Sequence, residues 1–427
     1  MSEPSLKKQL KLLKLEKGIA SRKIGAAKKS GENADIHIEE VKSISQKIQM
    51  IEAEIKAQNI TKASEKEETK VTVAPQFTQL EIGDNQAALS TQIHTNQASW
   101  DDYVQQHVNA TIYHSWSIKQ VIENSFNHNT IYISVTDEQQ KIQGVLPLVE
   151  LKSKLFGHSL ISVPFFNYGG MLYNNNAARQ KLLDAAIEHA KQVDAEHIEL
   201  RDCKKFDDLP SKEAKVTMHL NLPKTCEELW KNLGTKLRAQ IKKAERNNLE
   251  VKIGRNELLV DFYRVFAQNM RDLGTPVYSK NLFIQMLEQN SSARIAIIYH
   301  QSKPVSCGFI LGWRNTMEIP WASTLRSANK LDANMKLYWE ILKFTTDQGY
   351  EIFDFGRSSK DANTYKFKKQ WGAQPHPLFW HYWLPDNQPL PEINPNNPKF
   401  KLLIAVWQKL PVWLANIIGP PVVKNLP

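Results

Sequence analysis

The chain has 427 residues, of which 41% are hydrophobic and 23% are charged. This composition is ordinary for a globular protein, and the length exceeds what one hydrophobic core usually organises, so we expect two or three structural units. The formal net charge of +10 favours an anionic partner such as nucleic acid, anionic lipid or a phosphorylated substrate, with plain solubility as the alternative.

Cysteine usage and hydropathy argue against several classes of protein. The three cysteines, Cys203, Cys226 and Cys307, lie far apart without a CxxC pair, which argues against a disulfide framework and against a zinc site. Charged residues interrupt every apolar run near the N-terminus, and no apolar stretch is long enough to span a bilayer. We therefore expect a cytoplasmic protein without a metal or a tightly bound cofactor.

Residues 1–60 carry apolar residues at heptad spacing in two segments separated by a polar turn. This pattern predicts an antiparallel helical hairpin, followed by a mobile linker at residues 61–85 that is rich in Glu and Lys. The segment Arg22–Glu32 resembles the N-terminal coiled-coil arm of seryl-tRNA synthetases. The resemblance implies that tRNA is a partner and that the tip lysines Lys23, Lys28 and Lys29 neutralise its phosphates. A dimerising or partner-docking hairpin is the alternative.

Beyond the linker the chain repeats one order of elements at a spacing of roughly 160 residues. Each copy has a β-hairpin, then a helix with the 3.6-residue apolar period, then a short apolar strand. The predicted elements are Thr130–Val135, Gly144–Leu148, Ala177–Gln192 and His197–Leu200 in the first copy, and Ile295–Tyr299, Cys307–Gly312, Leu331–Gln348 and Glu351–Phe355 in the second. This order is similar to that of a GNAT unit. The fold class is therefore α/β, with two tandem GNAT-like units of mixed sheets and flanking helices at residues 86–212 and 213–388, plus the N-terminal hairpin.

In the first unit, Asn167 and Tyr168 stand beside a Gly169-Gly170 turn that could let a ligand approach the backbone closely. A purely structural loop is the alternative.

The second unit opens with a predicted helix, Leu229–Asn247, whose Arg238 and Lys242 share one basic stripe. The stripe could bind phosphate or nucleic acid, or it could be a solvated helix face. The next helix, Glu257–Asp272, ends at Gly274 and leads into an extended loop. Thr275 and Tyr278 in that loop could line an acceptor pocket.

The segment Phe353–Gly372 contains the strongest candidate site. A strand ends in Gly356-Arg357-Ser358, which supplies backbone freedom, a planar cation and a hydroxyl for binding an anion. Lysines then alternate with Tyr365, Phe367 and Trp371, so an extended segment would bury Phe367 and turn Lys366 and Lys368 to the other side. The alternative is a solvated basic edge strand.

These motifs resemble the FemAB-like acyltransferases of the GNAT superfamily, especially the branch associated with exopolysaccharide and exosortase gene clusters. The resemblance is carried by Asp354–Ser358, Tyr365–Lys368 and Trp371-Gly372, together with Pro164–Gly170, Arg271–Tyr278 and Val406–Pro411. It covers roughly residues 95–425. It implies an N-acyltransferase that moves an aminoacyl or acyl group onto an amine of a cell-envelope or exopolysaccharide precursor, with a small-molecule or lipid-linked sugar as acceptor.

The resemblance also implies residue roles. Lys368 falls where these enzymes keep a lysine that stabilises charge during transfer. Arg357 could hold a donor phosphate or an acceptor carboxylate in a bidentate fork. Asp354 could accept a proton or orient Arg357. Ser358, Tyr365 and Trp371 are expected to contact the substrate.

The acyl donor is a co-substrate whose identity stays open. GNAT acetyltransferases usually bind the acetyl-CoA pyrophosphate with a Gly-rich turn at a helix N-terminus. The corresponding stretch here, Leu325–Asn334, has no glycine, which favours aminoacyl-tRNA while acyl-CoA remains possible. Arg326, Asn334 and Tyr338 are candidate donor contacts. The rival functions are a noncatalytic RNA-binding or scaffold protein that retains the fold, and an acyl-CoA-dependent N-acetyltransferase.

The C-terminal tail, residues 389–427, includes an amphipathic segment, Phe400–Ile418, that is interrupted by Pro411. It is too short to span a bilayer, so it could dock on the fold or lie in the membrane interface, and docking is favoured. An interfacial tail would give peripheral contact with the inner face of the membrane and suit a lipid-linked acceptor. The sequence makes no prediction of oligomeric state.

Overall fold

The chain divides into two compact units, residues 1–76 and 77–427. In this computed structural model the described residues are 6–30, 33–48, 50–51, 88–154, 156–360, 362–385, 388–391 and 398–426. The predicted linker at residues 61–85 lies outside them.

The first unit is helical, with helix α1 at Leu6–Ser30 and helix α2 at residues 35–48. Its buried side chains are Ala20, Ala27, Ala34 and Ile48. Lys23 is exposed, whereas the side chains of Lys28 and Lys29 lie outside the described part of the chain. The antiparallel pairing of the helices and the binding of tRNA stay predictions.

In the second unit, strands and helices follow one another along the sequence. Its strands are β1 (Ser90–Ile93), β2 (Thr130–Thr136), β3 (Ile142–Ser153), β4 (Gly157–Ile161), β5 (Leu172–Tyr173), β6 (His197–Asp202), β7 (Ser211–Asn221), β8 (Leu249–Gly254), β9 (Arg294–His300), β10 (Lys303–Trp313), β11 (Thr316–Thr324), β12 (Ile352–Ser359) and β13 (Gln374–Trp383). Its helices are α3 (Gln97–Gln106), α4 (Trp116–Phe126), α5 (Asn176–Gln192), α6 (Cys226–Asn232), α7 (Thr235–Glu245), α8 (Leu259–Leu273), α9 (Lys280–Gln289), α10 (Ala333–Asp347), α11 (Asn363–Gln370), α12 (Pro398–Trp407) and α13 (Val412–Val423).

Within the described residues, the strands form one continuous sheet in the order β1-β2-β3-β4-β6-β13-β7-β12-β11-β10-β9-β8, with β5 on β3. The pairs β4–β6 and β11–β12 are parallel, and the other pairs are antiparallel. Each half therefore contains the predicted hairpin, helix and parallel strand, and the mixed α/β class with flanking helices is confirmed.

The two halves share this sheet instead of having one each. Strands β7 and β13, which the sequence reading did not predict, lie between β6 of the first half and β12 of the second half. Without them, β6 and β12 would each present an edge of unpaired backbone N–H and C=O groups. The two inserted strands pair both edges and join the halves.

Side-chain packing also joins the halves. One buried cluster contains Tyr113 and Phe166 from the first half together with Phe262, Phe283 and Trp321 from the second half. A second cluster packs α7 and α10 on the sheet of the second half, and a third packs α5 on the sheet of the first half. The junction between the halves therefore contains a shared apolar core.

Local structure departs from prediction at two places. The predicted helix Leu229–Asn247 is two helices, α6 and α7, separated around Gly234. The predicted extended segment around Lys368 is helix α11, whose sequence is rich in Lys and Gln, which are good helix formers. Helical spacing, not alternation, therefore decides which of its side chains are buried.

The C-terminal tail docks on the fold through both of its helices. A side chain at Gly274, which ends α8 with a left-handed φ of 78°, would collide with Ile404 of α12. Gly419 of α13 lies against Val277, and the Arg271 guanidinium donates to the Leu410 carbonyl at 2.8 Å. Within the described residues, no helix combines the length and the apolar character that crossing a membrane requires.

Candidate functional site

A bulge in β12 organises the candidate site. Asp354 pairs with His219 of β7 and Arg357 pairs with Thr217, so β12 carries one more residue than its partner strand between these pairs. Gly356 has a left-handed φ of 73°, which a glycine adopts without strain. The Gly356 N–H donates to the Asp354 carboxylate at 2.7 Å, which closes the turn.

Lys368 of α11 points into this bulge. Its side chain is 7% exposed, and its amine donates to the carbonyl oxygens of Gly356 and Arg357, each at 2.9 Å. Burial lowers the pKa of Lys368 to about 8, with Arg357 acting in the same direction and the Asp354 and Glu318 charges opposing it. An ammonium has three N–H donors, so one remains for a further acceptor. At neutral pH the site thus holds a protonated, desolvated amine with a donor to spare.

Asp354 is fully buried beside this lysine and is surrounded by donors. Its carboxylate accepts from Tyr168 and Thr217, each at 2.6 Å, in addition to the Gly356 N–H, and His219 Nε2 lies 3.3 Å away. Burial opposes ionisation, but His219 and the hydrogen bonds hold the Asp354 pKa below its usual range. This carboxylate orients the turn before Arg357. Its saturated oxygens do not favour the predicted role of proton acceptor.

Glu318 of β11 is a second buried carboxylate, which the sequence reading missed. It is the direct neighbour of Asp354 across the parallel β11–β12 pair, and it accepts from Tyr113 at 2.7 Å and from Asn167 at 2.6 Å. Burial and the Asp354 charge raise its pKa to about 8. The available signal was a single charged residue within an otherwise uncharged strand, Thr316–Thr324.

The loop before Gly169 brings Asn167 and Tyr168 from the first half to these carboxylates. Val163 and Phe165 in this loop have φ angles of 50° and 75°, which non-glycine residues adopt at a cost. At Gly169 and Gly170 protein atoms fill the space that a Cβ would occupy, and the access of a ligand to this turn stays a prediction. A Cβ on Gly169 would lie 2.8 Å from Val163 Cγ2, and one on Gly170 would lie 2.1 Å from Asp202 Oδ1.

The remaining predicted substrate contacts differ in exposure. Arg357 is exposed, with its guanidinium carbon 4.8 Å from the centre of the Trp380 ring. Ser358 is 4% exposed, and its hydroxyl has no partner among the described residues. Tyr278 is half-buried, and Thr275 is exposed just after α8.

Two predicted ligand contacts belong to the core. Trp371 is 2% exposed and Tyr338 is 7% exposed, and both pack with Phe367 in the cluster around α10. Tyr365 is half-buried against the same cluster. The turn of α11 that carries Lys368 to the bulge carries Trp371 into the core, and the roles of Trp371 and Tyr338 in binding stay predictions.

The other predicted donor contacts are spread over several elements. On α7, Arg238 is half-buried, and Lys242 is exposed with its amine 6.0 Å from the Trp230 ring. The Arg326 guanidinium donates to the Asp272 carbonyl at 2.7 Å. Asn334 accepts from Thr324 at 3.2 Å. Their role in binding a donor stays a prediction.

The raised pKa of Glu318 makes a prediction about stability. A carboxyl whose pKa is higher in the folded than in the unfolded protein stabilises the fold at low pH and loses that contribution as pH rises, here from about 4.5 to about 8. We expect Glu318→Gln to gain stability relative to the wild type over this range, as urea unfolding at a series of pH values will measure. A stability difference that does not change with pH would contradict this.

Comparisons with known proteins agree with this architecture. Residues 231–369 match the Acetyltransferase (GNAT) domain family. No curated protein sequence matches the chain. The solved structure of FemX has a TM-score of 0.53 and 14% identity, covering 74% of this chain and 100% of FemX.

Two further solved structures are similar to a lesser degree. L-PGS from Bacillus licheniformis has a TM-score of 0.48 and 11% identity, covering 74% of this chain and 98% of that one. A tandem GNAT protein from the clavulanic acid biosynthesis pathway has a TM-score of 0.43 and 9% identity, covering 71% and 100%. Residues 231–369 are thus similar to a GNAT acetyltransferase domain, the fold is a GNAT-like mixed α/β fold, and Lys368 and its bulge lie in the matched segment.

Proposed function

We propose that this protein is a FemAB-like N-acyltransferase that moves an aminoacyl or acyl group onto an amine of a cell-envelope or exopolysaccharide precursor. The observation that carries the proposal is the Lys368 amine, which is buried, positively charged at neutral pH and, within the described part of the chain, bound by two protein oxygens. Such a donor is suited to the negative oxygen that develops when an amine attacks an acyl carbonyl.

The proposed reaction forms a C–N bond and breaks the bond between the acyl carbon and its carrier. The acceptor amine attacks the acyl carbonyl, and the free Lys368 N–H stabilises the oxyanion of the tetrahedral intermediate. The Asp354 carboxylate keeps the bulge, and with it the Lys368 acceptors Gly356 and Arg357, in position. The proton lost by the amine leaves with the departing carrier oxygen or sulfur.

Two acyl donors are consistent with this chemistry. Aminoacyl-tRNA agrees with the basic balance of the chain and with the synthetase-like N-terminal segment, whereas the match to an acetyltransferase domain supports acyl-CoA. The test is transfer of a labelled acyl group from charged tRNA or acyl-CoA to an amino sugar or a lipid-linked amino sugar by the full-length protein. Failure of every donor both to react and to raise the melting temperature would favour the rival noncatalytic RNA-binding or scaffold function.

We further propose that the tail contacts the inner face of the membrane peripherally. Its docked helices leave large apolar side chains facing outward, namely Leu402 at 67% exposure, Leu403 at 63%, Val406 at 54%, Trp413 at 65% and Ile417 at 61%. An exposed apolar face that includes a Trp is typical of helices lying in a membrane interface, and Lys409 adds positive charge for anionic lipid.

Removing two of these side chains tests membrane contact. We expect Leu403→Ser with Trp413→Ser to weaken binding to phosphatidylethanolamine–phosphatidylglycerol vesicles by about tenfold or more, because each apolar side chain that enters the interface contributes roughly 1 kcal/mol or more. Co-sedimentation measures the binding. The matched control is Ile93→Ser with Val108→Ser, whose side chains are 55% and 53% exposed elsewhere. Equal binding of the two double variants to the vesicles would argue against membrane contact through the tail.

A further inference from the structure

A second group of cations lies around Trp380 of β13, one of the two strands that join the halves. Trp380 of β13 pairs with Arg201 of β6. The guanidinium carbon of Arg201 lies 4.5 Å from the centre of the Trp380 ring, and that of Arg357 from β12 lies 4.8 Å from it. One indole ring therefore contacts guanidinium groups from both halves of the sheet.

Arg201 is unusual because it is buried with part of its hydrogen-bonding capacity unused. Its side chain is 2% exposed, Nε donates to Glu199 at 2.7 Å and Nη1 donates to the Phe166 carbonyl at 3.0 Å. Nη2 is buried without a partner among the described residues. A buried charged donor left unpaired costs free energy, so such a group in a native protein requires an explanation, and an absent ligand is one.

Arg357 provides the second unused guanidinium. The residue is exposed, and its guanidinium has no hydrogen-bond or ion-pair partner in the described part of the chain. Lys215, whose amine donates to Ser359 at 2.6 Å, adds a further positive charge beside Arg357.

Charge balance at this place favours an anion. Glu199 is the carboxylate that contacts Arg201, and it also accepts from Tyr382 at 2.7 Å, so it neutralises one guanidinium. No ion pair within the described residues neutralises the positive charges of Arg357 and Lys215. The two guanidinium groups come from separate strands, β6 and β12, and a phosphoryl group offers several oxygens to separate donors, whereas a carboxylate offers two coplanar oxygens.

We propose that Arg201 and Arg357 form a binding site for a phosphate group of a substrate, adjacent to the Lys368 bulge. The site deepens the proposed function, because Arg357 directly follows Gly356 and its own carbonyl accepts from Lys368. A phosphate held here places the rest of its carrier molecule beside the amine that stabilises transfer. The pyrophosphate of a nucleotide-linked or lipid-linked sugar and that of an acyl-CoA donor share this chemistry.

Calorimetric titration of the full-length protein with inorganic phosphate and pyrophosphate tests the site directly. We expect Arg357→Gln to weaken pyrophosphate binding at least tenfold. The matched control Arg264→Gln removes an arginine from α8 whose side chain is 64% exposed, and it should leave affinity unchanged. Equal affinities in the wild type and Arg357→Gln, or acetate binding as tightly as phosphate, would overturn the proposal. These variants keep Arg201, whose removal could impair folding.

Two further titrations identify the source of the phosphate. A uridine diphosphate sugar represents the acceptor, and coenzyme A represents the donor. The ligand whose affinity falls in Arg357→Gln supplies the phosphate, and no fall for either ligand counts against the site. Lys368→Met should still bind pyrophosphate, so this result separates the phosphate site from the proposed transfer reaction. If transfer were independent of Lys368 while pyrophosphate binding still required Arg357, the proposed mechanism would fail and the site would stand.

Discussion

Replacing Lys368 with Met is expected to lower the rate of acyl transfer about 10²- to 10³-fold, the usual effect of removing one donor to a developing oxyanion. Met keeps the length and the apolar part of the side chain, so it fills the buried space next to the β12 bulge. It supplies neither the positive charge nor the N–H that the acyl oxygen requires. The loss should appear in turnover of a saturating donor and acceptor.

The control for this prediction lies on the same helix. Lys366 is exposed, so Lys366→Met removes the same charge from α11 without changing the bulge, and it should keep nearly wild-type turnover. Thermal unfolding of both variants separates activity from folding, since Lys368→Met also leaves the Gly356 and Arg357 carbonyls without their donor. Turnover above a tenth of the wild-type value in folded Lys368→Met would rule out the proposed role of the amine.

Replacing Asp354 with Ala is expected to destabilise the protein by about 3–5 kcal/mol, the range for removing one member of a buried charged network. The carboxylate is fully buried, and its removal leaves the Tyr168 and Thr217 hydroxyls and the Gly356 N–H without their acceptor and takes away the negative charge that lies 3.3 Å from His219. Because Tyr168 comes from the first half and Thr217 from a joining strand, the variant loosens the junction as well as the bulge. Urea unfolding monitored by tryptophan fluorescence measures the change.

A surface aspartate provides the matched comparison. Asp208 pairs with Arg179, and its side chain is 49% exposed, so Asp208→Ala should cost at most about 1 kcal/mol. If Asp354→Ala does not fold, Asp354→Asn keeps the shape and one accepting oxygen, and should show an intermediate loss. Destabilisation of Asp354→Ala no larger than that of Asp208→Ala would mean that the network contributes little to the fold.

Repetition in the sequence was the basis for predicting the fold. The hairpin, helix and strand of each half follow from local periodicity, and their order is confirmed in both halves. Strands β7 and β13 were not predicted, because the strands that they pair with include residues far away in the chain. The contact between His219 and Asp354 depends on the pairing of β7 with β12. The local sequence shows which segments tend to form strands. Which strands become neighbours depends on the sheet edges whose backbone N–H and C=O groups still need a partner.

The candidate site was predicted in part. Lys368 and Asp354 were named from their motif, and the structure brings both to one buried bulge. Glu318 was missed, since its importance comes from being the neighbour of Asp354 on the next strand and from Tyr113 and Asn167 in the other half. Trp371 was assigned to the substrate from the same motif, whereas in the structure it is buried in the core around α10.

By itself, the sequence determined the α/β class, the tandem order of elements and a segment in which a strand end is followed by a lysine-rich stretch, because these depend on periodicity and composition along a short length of chain. Only the tertiary structure decided that Lys368 is buried against a bulge, that Asp354 is saturated by donors and that Arg201 and Arg357 contact one tryptophan. Those properties arise from groups on separate strands brought within hydrogen-bonding or ring-contact distance. Burial and neighbouring charge, which shift pKa values and leave donors unused, exist only once the chain has folded.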